Sequence, residues 1–320
     1  MKTPHTNLSS AMTHIDLVFL WVNGNDPKWK ARHDAYTGNA SEMEGNCTGR
    51  YADSGELKYS LRSVERYAPW IRNIFIVTDR QVPEWLNTAH PRIHIVDHSD
   101  IMPPECLPCF NSVVIEHHLH LIPGLSEHFL YANDDIFFNR PVKPSSFFAA
   151  DGLPIIRLNR RCLKRPLIAL KAMMGCPVSL YNQTIHNAAL LVEKKFGTYY
   201  NGKPHHNIDA YMKSGYELAR NIFDAEIGAT LQNHLRASND IQRCLYAYVA
   251  IATRCGHLRY VNQHFSFRFH IDNHKQYEKF KRYAPTLFCM NDSQYATEED
   301  REMARHFLED HFGVKSQFEK

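Results

Sequence analysis

The chain has 320 residues, 44% of them hydrophobic, which is ample for a large core in one domain with insertions or in two lobes. Lys and Arg number 37 against 34 Asp and Glu, a formal net charge of +3, so this is not a polybasic nucleic-acid-binding chain, though a local basic pocket for an anion stays open. No run of about 18 apolar residues occurs, which excludes a transmembrane helix in this sequence.

Residues 1–14 are polar, lack the apolar core of a signal peptide and read as a flexible leader. Residues 15–22 are apolar and β-branched and end in Asn23-Gly24-Asn25-Asp26-Pro27, a buried strand followed by a turn. Residues 57–67 carry apolar side chains at helical spacing, and 74–78 form a second buried strand. Pro83 opens a short helix over 83–86, and 93–96 is a third strand. Residues 111–120 read as a helix and 129–131 as the next strand. This alternation predicts a mostly parallel sheet with crossover helices, a Rossmann-like nucleotide-binding core. Neither a GxGxxG nor a GxxxxGK[ST] motif is present, so the dinucleotide fingerprint and the P-loop are both excluded.

The second half differs. Residues 188–196, 208–223, 240–253 and 298–312 are helical by pattern, with polar and aromatic segments at 260–270 and 283–292. The expected organisation is a leader over 1–14, an α/β core over 15–150, and a more helical half over 151–320 that completes one cleft. Among eight cysteines only Cys106 and Cys109 form a CxxC, without a partner pair for zinc, so reduced thiols of a cytoplasmic protein are expected.

The strand before Asn133-Asp134-Asp135 carries the strongest chemical signal. At a strand end in an open α/β sheet, these side chains face the crevice where ligands bind. Adjacent carboxylates repel unless a cation or hydrogen bonds compensate. Mg²⁺ bridging one or two carboxylates to substrate phosphates is one such compensation. The competing reading is a plain turn, which Asn-Asp-Asp also suits. Arg62 and Arg66, four apart, share a helix face and could grip phosphate oxygens, or could simply be solvated. His205 and His206 open the segment 205–209 and could serve as base or metal ligand. Arg236, Ser238 and Asp240 follow, and Asn291-Asp292 forms another amide–acid pair after an apolar run.

Together these residues resemble the Stealth family, whose members include bacterial capsular-polysaccharide hexose-1-phosphate transferases and the catalytic subunit of the animal N-acetylglucosamine-1-phosphotransferase. The first family block is similar to residues 15–27 and the second to 56–135, which is long and nearly unbroken. The third looks like 204–242, anchored by His-x-Ile-Asp and Arg-x-Ser-x-Asp, and the fourth like 289–292 with the closing 316–319. One departure is the doubled histidine. His206-Asn207-Ile208-Asp209 keeps the spacing, so His206 is favoured over His205.

The resemblance implies an α/β fold with a GT-A-type nucleotide-sugar-binding core. It implies transfer of a sugar-1-phosphate from a UDP-sugar, such as UDP-N-acetylglucosamine, to a glycan hydroxyl, with a phosphodiester formed and UMP released. Asp134 and Asp135, with Asp292, would hold Mg²⁺ or Mn²⁺. Arg236, with Arg62 or Arg66, would stabilise phosphoryl charge, and His206 or His205 would take the acceptor proton. Asn23, Gly24, Asp26, Asn133, Asp240 and Asn291 would contact substrate. Lacking the animal enzyme's added modules and spans, the chain is expected to be the compact bacterial form, cytoplasmic and peripheral to a membrane export complex. Two alternatives stand beside this reading. One is a glycosyltransferase that releases UDP; the other is a non-catalytic sugar-nucleotide-binding protein, which should lack the His and Arg of the third block.

Overall fold

A computed structural model describes residues 14–38, 51–162, 178–293 and 295–320, with isolated positions between 168 and 176. The expected leader, apart from His14, lies outside the described residues.

The apolar runs form strands β1 (Ile15–Leu20), β2 (Ile74–Thr78), β3 (Ile93–Asp97) and β4 (His128–Asn133). They pair parallel, and with β8 (Asp209–Met212) they build a five-stranded sheet ordered β3-β2-β1-β4-β8. Such strands are apolar on both faces because both faces are covered. Side-chain alternation splits them between two cores. Leu17, Phe19, Ile74, Ile76 and Leu130 join one with Leu57, Leu61 and Val64 of a helix, Glu56–Tyr67. Val18, Phe75, Val77, Phe129 and Tyr131 join the other. That second core is closed by Ile185, Ala188 and Val192 of the helix Leu180–Phe196 and by Leu245 and Val249 of the helix Cys244–Ala252.

Among the described residues the α-helices, in chain order, are α1 (Pro27–Thr37), α2 (Glu56–Tyr67), α3 (His98–Ile101), α4 (Ser112–Glu116), α5 (Leu180–Phe196), α6 (Lys213–Leu231), α7 (Cys244–Ala252), α8 (Lys275–Tyr283) and α9 (Glu298–His311). Two smaller sheets accompany the five-stranded one among the described residues. One places β10 (Ser266–His270) parallel to β11 (Leu287–Asn291), which pairs antiparallel with β5 (Ile136–Phe138). The other is ordered β7-β6-β9, from Gly202–Pro204, Ile155–Cys162 and His257–Val261.

Several expectations are corrected. Residues 208–223 are not one helix: β8 occupies its start, and α6 follows with non-helical backbone at Phe223. The 83–86 stretch is a turn ending in an isolated bridge between Leu86 and Glu319. The segments 260–270 and 283–292 contribute strands.

Arg62 is also put to a different use from the expected phosphate contact. It is 8% exposed. Its Nε and one Nη lie 2.9 Å from the two carboxylate oxygens of Glu319, and its other Nη donates to the Phe312 carbonyl at 2.8 Å. This fork ties α2 to the C-terminal segment. Arg66 lies 5.1 Å over the Tyr67 ring, with one Nη 3.5 Å from the His311 carbonyl. Arg62→Ala should therefore lower stability by about 3 kcal/mol, because Glu319 keeps a buried charge without its partner. Thermal or urea unfolding measures this, and the folded fraction should keep its turnover rate.

Candidate active site

The carboxyl ends of β1 and β4 are neighbours, with Leu20 paired to Asn133. After β1 the chain turns at Asn23–Asp26. The Asn23 N–H donates to Gln81 Oε1 at 3.0 Å, and Gln81 Nε2 donates back to the Asn23 carbonyl at 2.9 Å. Asp26 caps α1 by accepting from the N–H of Lys28 at 2.8 Å and of Trp29 at 3.3 Å. The Gly24 N–H donates to the Tyr51 carbonyl at 2.7 Å, and a Cβ at Gly24 would stand 2.4 Å from that oxygen. Only glycine admits this approach, which carries Asp53 and Glu56 in beside the strand ends. Asn23, Gly24 and Asp26 thus shape the rim through their own backbone and caps.

Four carboxylates converge here: Asp53, Glu56, Asp134 and Asp135. Burial pushes Glu56 up to about 7, with the charges of Asp53 and Asp135 adding to it. Burial and then the adjacent Asp135 raise Asp134 well above the usual carboxylate range, and burial lifts Asp135 to about 6. Asp135 Oδ2 accepts from Asn291 Nδ2 at 2.6 Å and faces Cys289 Sγ at 3.4 Å, while its Oδ1 is buried without a hydrogen-bond partner. An orphaned buried carboxylate oxygen in an acidic recess suits a hard divalent cation. Among the described residues no group of three or more His, Cys, Asp or Glu could hold a metal alone, so such an ion would take further oxygens from substrate and water.

The two histidines divide. His205 is buried, with Nδ1 3.0 Å from Ser266 Oγ and Nε2 3.0 Å from Asp209 Oδ1, so both ring nitrogens are committed to protein. His206 adopts a left-handed backbone, φ 54°, uncommon for a side chain of this size. Its Nε2 lies 3.4 Å from Asn291 Nδ2, and its ring meets Tyr181 edge-on at 5.9 Å. Burial, then the charges of Arg268 and Arg243, push His206 down to about 3, so the ring is neutral. Burial first, and the neighbouring cations second, thus hold the ring of the expected proton acceptor well below the usual imidazole range.

Antiparallel pairing sets Asp209 of β8 opposite Tyr131 of β4. Burial alone would raise Asp209, but Arg243 and His205 outweigh it and hold the carboxylate down to about 2. Arg243 also reaches the Tyr211 hydroxyl at 2.7 Å and lies 4.5 Å over the Tyr131 ring. Its Nε is 3.5 Å from Glu116 Oε2. The Tyr131 hydroxyl stands 2.9 Å from Glu116 Oε1 and 2.8 Å from Asn133 Oδ1. Arg236 donates to Ser112 Oγ at 2.8 Å, and its charge acts on both Glu116 and Asp240.

The fold thus brings together Asn133, Asp134, Asp135, His205, His206 and Asn291, with Arg236 beside Glu116. Asp240 is fully buried and accepts from Asn111 at 2.9 Å, Asn233 at 2.7 Å and the Ala237 N–H at 3.0 Å, so it fastens the Arg236 loop. Asp292 is committed to Arg301 at 2.7 Å, and Arg62 and Arg66 face the C-terminal segment. Sequence reasoning missed Asp53, Glu56, Glu116, Arg243 and Arg268. Glu56 opens the second block and could have been found there; the others have no local signal.

Residues 13–41 match the model described as Stealth protein CR1, conserved region 1, and residues 50–156 match Stealth protein CR2, conserved region 2. A capsular polysaccharide phosphotransferase of Haemophilus influenzae is 34% identical over 300 residues, covering 90% of this chain and 80% of that protein. The chain belongs to the Stealth family. Two further relatives extend the comparison. An exopolysaccharide phosphotransferase of Streptomyces coelicolor is 36% identical across 96% of this chain, which spans only 52% of it. The capsular polysaccharide phosphotransferase LcbA of Neisseria meningitidis is 37% identical across 71% of this chain and 61% of its own length. Among solved structures, a galactosyltransferase, LgtC, in complex with donor and acceptor sugar analogues superposes over 94% of this chain and 96% of its own. The TM-score is 0.46 at 10% identity, and a likeness that distant carries no argument about the reaction.

Proposed function

We propose that this Stealth chain transfers an N-acetylhexosamine-1-phosphate from a UDP-sugar to a glycan hydroxyl, in capsular polysaccharide synthesis at the cytoplasmic face of a membrane. No described helix is long and apolar enough to cross a membrane. The observation that carries the reading is the acid pair Asp134–Asp135, with an orphaned carboxylate oxygen, linked through Asn291 to the neutral ring of His206.

Phosphoryl transfer asks the protein for positioning, charge neutralisation and a proton acceptor. Asp134 and Asp135 would hold Mg²⁺ or Mn²⁺, which when bound neutralises the donor diphosphate. The acceptor oxygen forms a bond to the sugar-bound phosphorus. The bond from that phosphorus to the oxygen bridging the two phosphates breaks, and its electron pair leaves with UMP. His206, neutral in the free site, takes the acceptor proton; negative phosphates nearby raise its proton affinity from the depressed starting value. His205 positions this segment through Ser266 and Asp209. Arg236 stabilises phosphoryl charge, held in its loop by Asp240.

Incubation with a panel of UDP-sugars, Mg²⁺ and a capsular oligosaccharide tests the reading. UMP and a phosphodiester-linked product are expected. UDP as the nucleotide product would mean a glycosyltransferase instead, and binding without any nucleotide release a non-catalytic module.

A further inference from the structure

Alternation along β10 sends Phe267 and Phe269 into the core shared with α8 and α9, so Ser266, Arg268 and His270 occupy the opposite face. That face looks at the site. Ser266 Oγ reaches His205 Nδ1 and Asn207 Nδ2, each at 3.0 Å. Arg268 is in register with Cys289, whose Sγ faces Asp135, and His270 with Asn291, which joins Asp135 to His206.

Arg268 is exposed, and among the described residues it makes no side-chain hydrogen bond and no ion pair. The other arginines around the core are spent on protein acceptors: Arg62 on Glu319, Arg72 on Asp16, Arg243 on Asp209 and Arg301 on Asp292. Lys203 lies close by, its Nζ donating to Asn182 Oδ1 at 2.6 Å. Burial, then the charge of Arg268, depress Lys203, so these two cations lie on the same side of the site, and the same guanidinium helps hold the Asp135 carboxyl down. Asn207 Oδ1 is buried without a partner beside them. A guanidinium without a hydrogen bond or ion pair, near an orphaned carboxylate oxygen, suits a ligand that is itself anionic on one side and metal-binding on the other. A diphosphate has both properties.

We propose that Arg268 is a further substrate-binding residue of this site, its guanidinium gripping the transferring phosphoryl group between the acid pair and His206. This rests on the phosphotransferase reading above. The planar fork matches phosphate oxygens, and because no protein group occupies it the interaction is available to substrate alone.

The test compares the intact chain with Arg268→Gln and Arg268→Lys. Inorganic pyrophosphate binding with Mg²⁺, by calorimetry, should weaken at least about 10-fold in Arg268→Gln and be partly restored in Arg268→Lys. In turnover the Gln variant should lose about 100-fold, in kcat more than in KM, if the contact strengthens in the transition state. Both variants should melt within a degree or two of wild type, since Arg268 is exposed and makes no side-chain hydrogen bond or ion pair among the described residues. Unchanged pyrophosphate affinity and kcat in Arg268→Gln would overturn the assignment while leaving the reaction class standing. Tighter Mn²⁺ binding with unaltered pyrophosphate affinity would also overturn it, because Arg268 would then merely offset the acids. Wild-type protein that releases UDP, together with weakened pyrophosphate binding in Arg268→Gln, would overturn the phosphotransferase reading and support the anion site.

Discussion

Asp135→Asn should cost on the order of 10²-fold or more in kcat while the protein stays folded. The amide can still accept from Asn291, as the carboxylate does at 2.6 Å, so the local frame survives. What disappears is the negative charge at the orphaned Oδ1, the group best placed to hold a cation. Removing one of four mutually repelling acids should leave the melting midpoint equal to or above that of wild type. Stability kept while activity falls is the signature of a site built for function rather than for folding. Chelation of divalent ions should abolish activity in the wild type, and Mg²⁺ or Mn²⁺ should restore it. Full turnover after dialysis against EDTA would remove the metal from the account.

His206→Ala should lower kcat by about 10²- to 10⁴-fold with UDP-sugar affinity largely kept, as expected for a lost proton acceptor. His205→Ala should behave differently. Its ring bridges Ser266 and Asp209 inside the protein, so its loss should lower the thermal midpoint along with activity. If His205→Ala were stable and inactive while His206→Ala remained active, the two roles would be exchanged. The two variants separate because both ring nitrogens of His205 are held by protein partners, whereas His206 has Asn291 at 3.4 Å and an edge-on contact with Tyr181.

The central sheet was legible in the sequence because parallel strands covered on both faces read as unbroken apolar runs, as in 15–20 and 74–78. The position of the acid pair was legible too, since a polar triplet closes such a run at the end of β4. β8 was not: it is four residues long, begins at Asp209 and runs straight into α6, so its pattern merges with the helix. β10 hid for a related reason. Its inward residues are aromatic and its alternate ones, Ser266, Arg268 and His270, are polar, so it looked like a polar connection. Arg62 misled because helical spacing shows which residues share a face but not what covers it. Here the cover is Glu319, 257 residues away in sequence. The network of Glu116, Tyr131, Asp209 and Arg243 is assembled from different elements, and its members carry no common spacing that a linear reading could detect.

The measurement that bears most directly on the reaction is the fate of a labelled phosphorus. A UDP-sugar carrying ³²P in the phosphate attached to the sugar is incubated with the protein, Mg²⁺ and a capsular oligosaccharide, and glycan and nucleotide are then separated. Attack at phosphorus carries the label into the glycan as a phosphodiester and leaves unlabelled UMP. Label retained in the nucleotide as UDP, with sugar added to the glycan, would place the attack at the anomeric carbon and contradict the account.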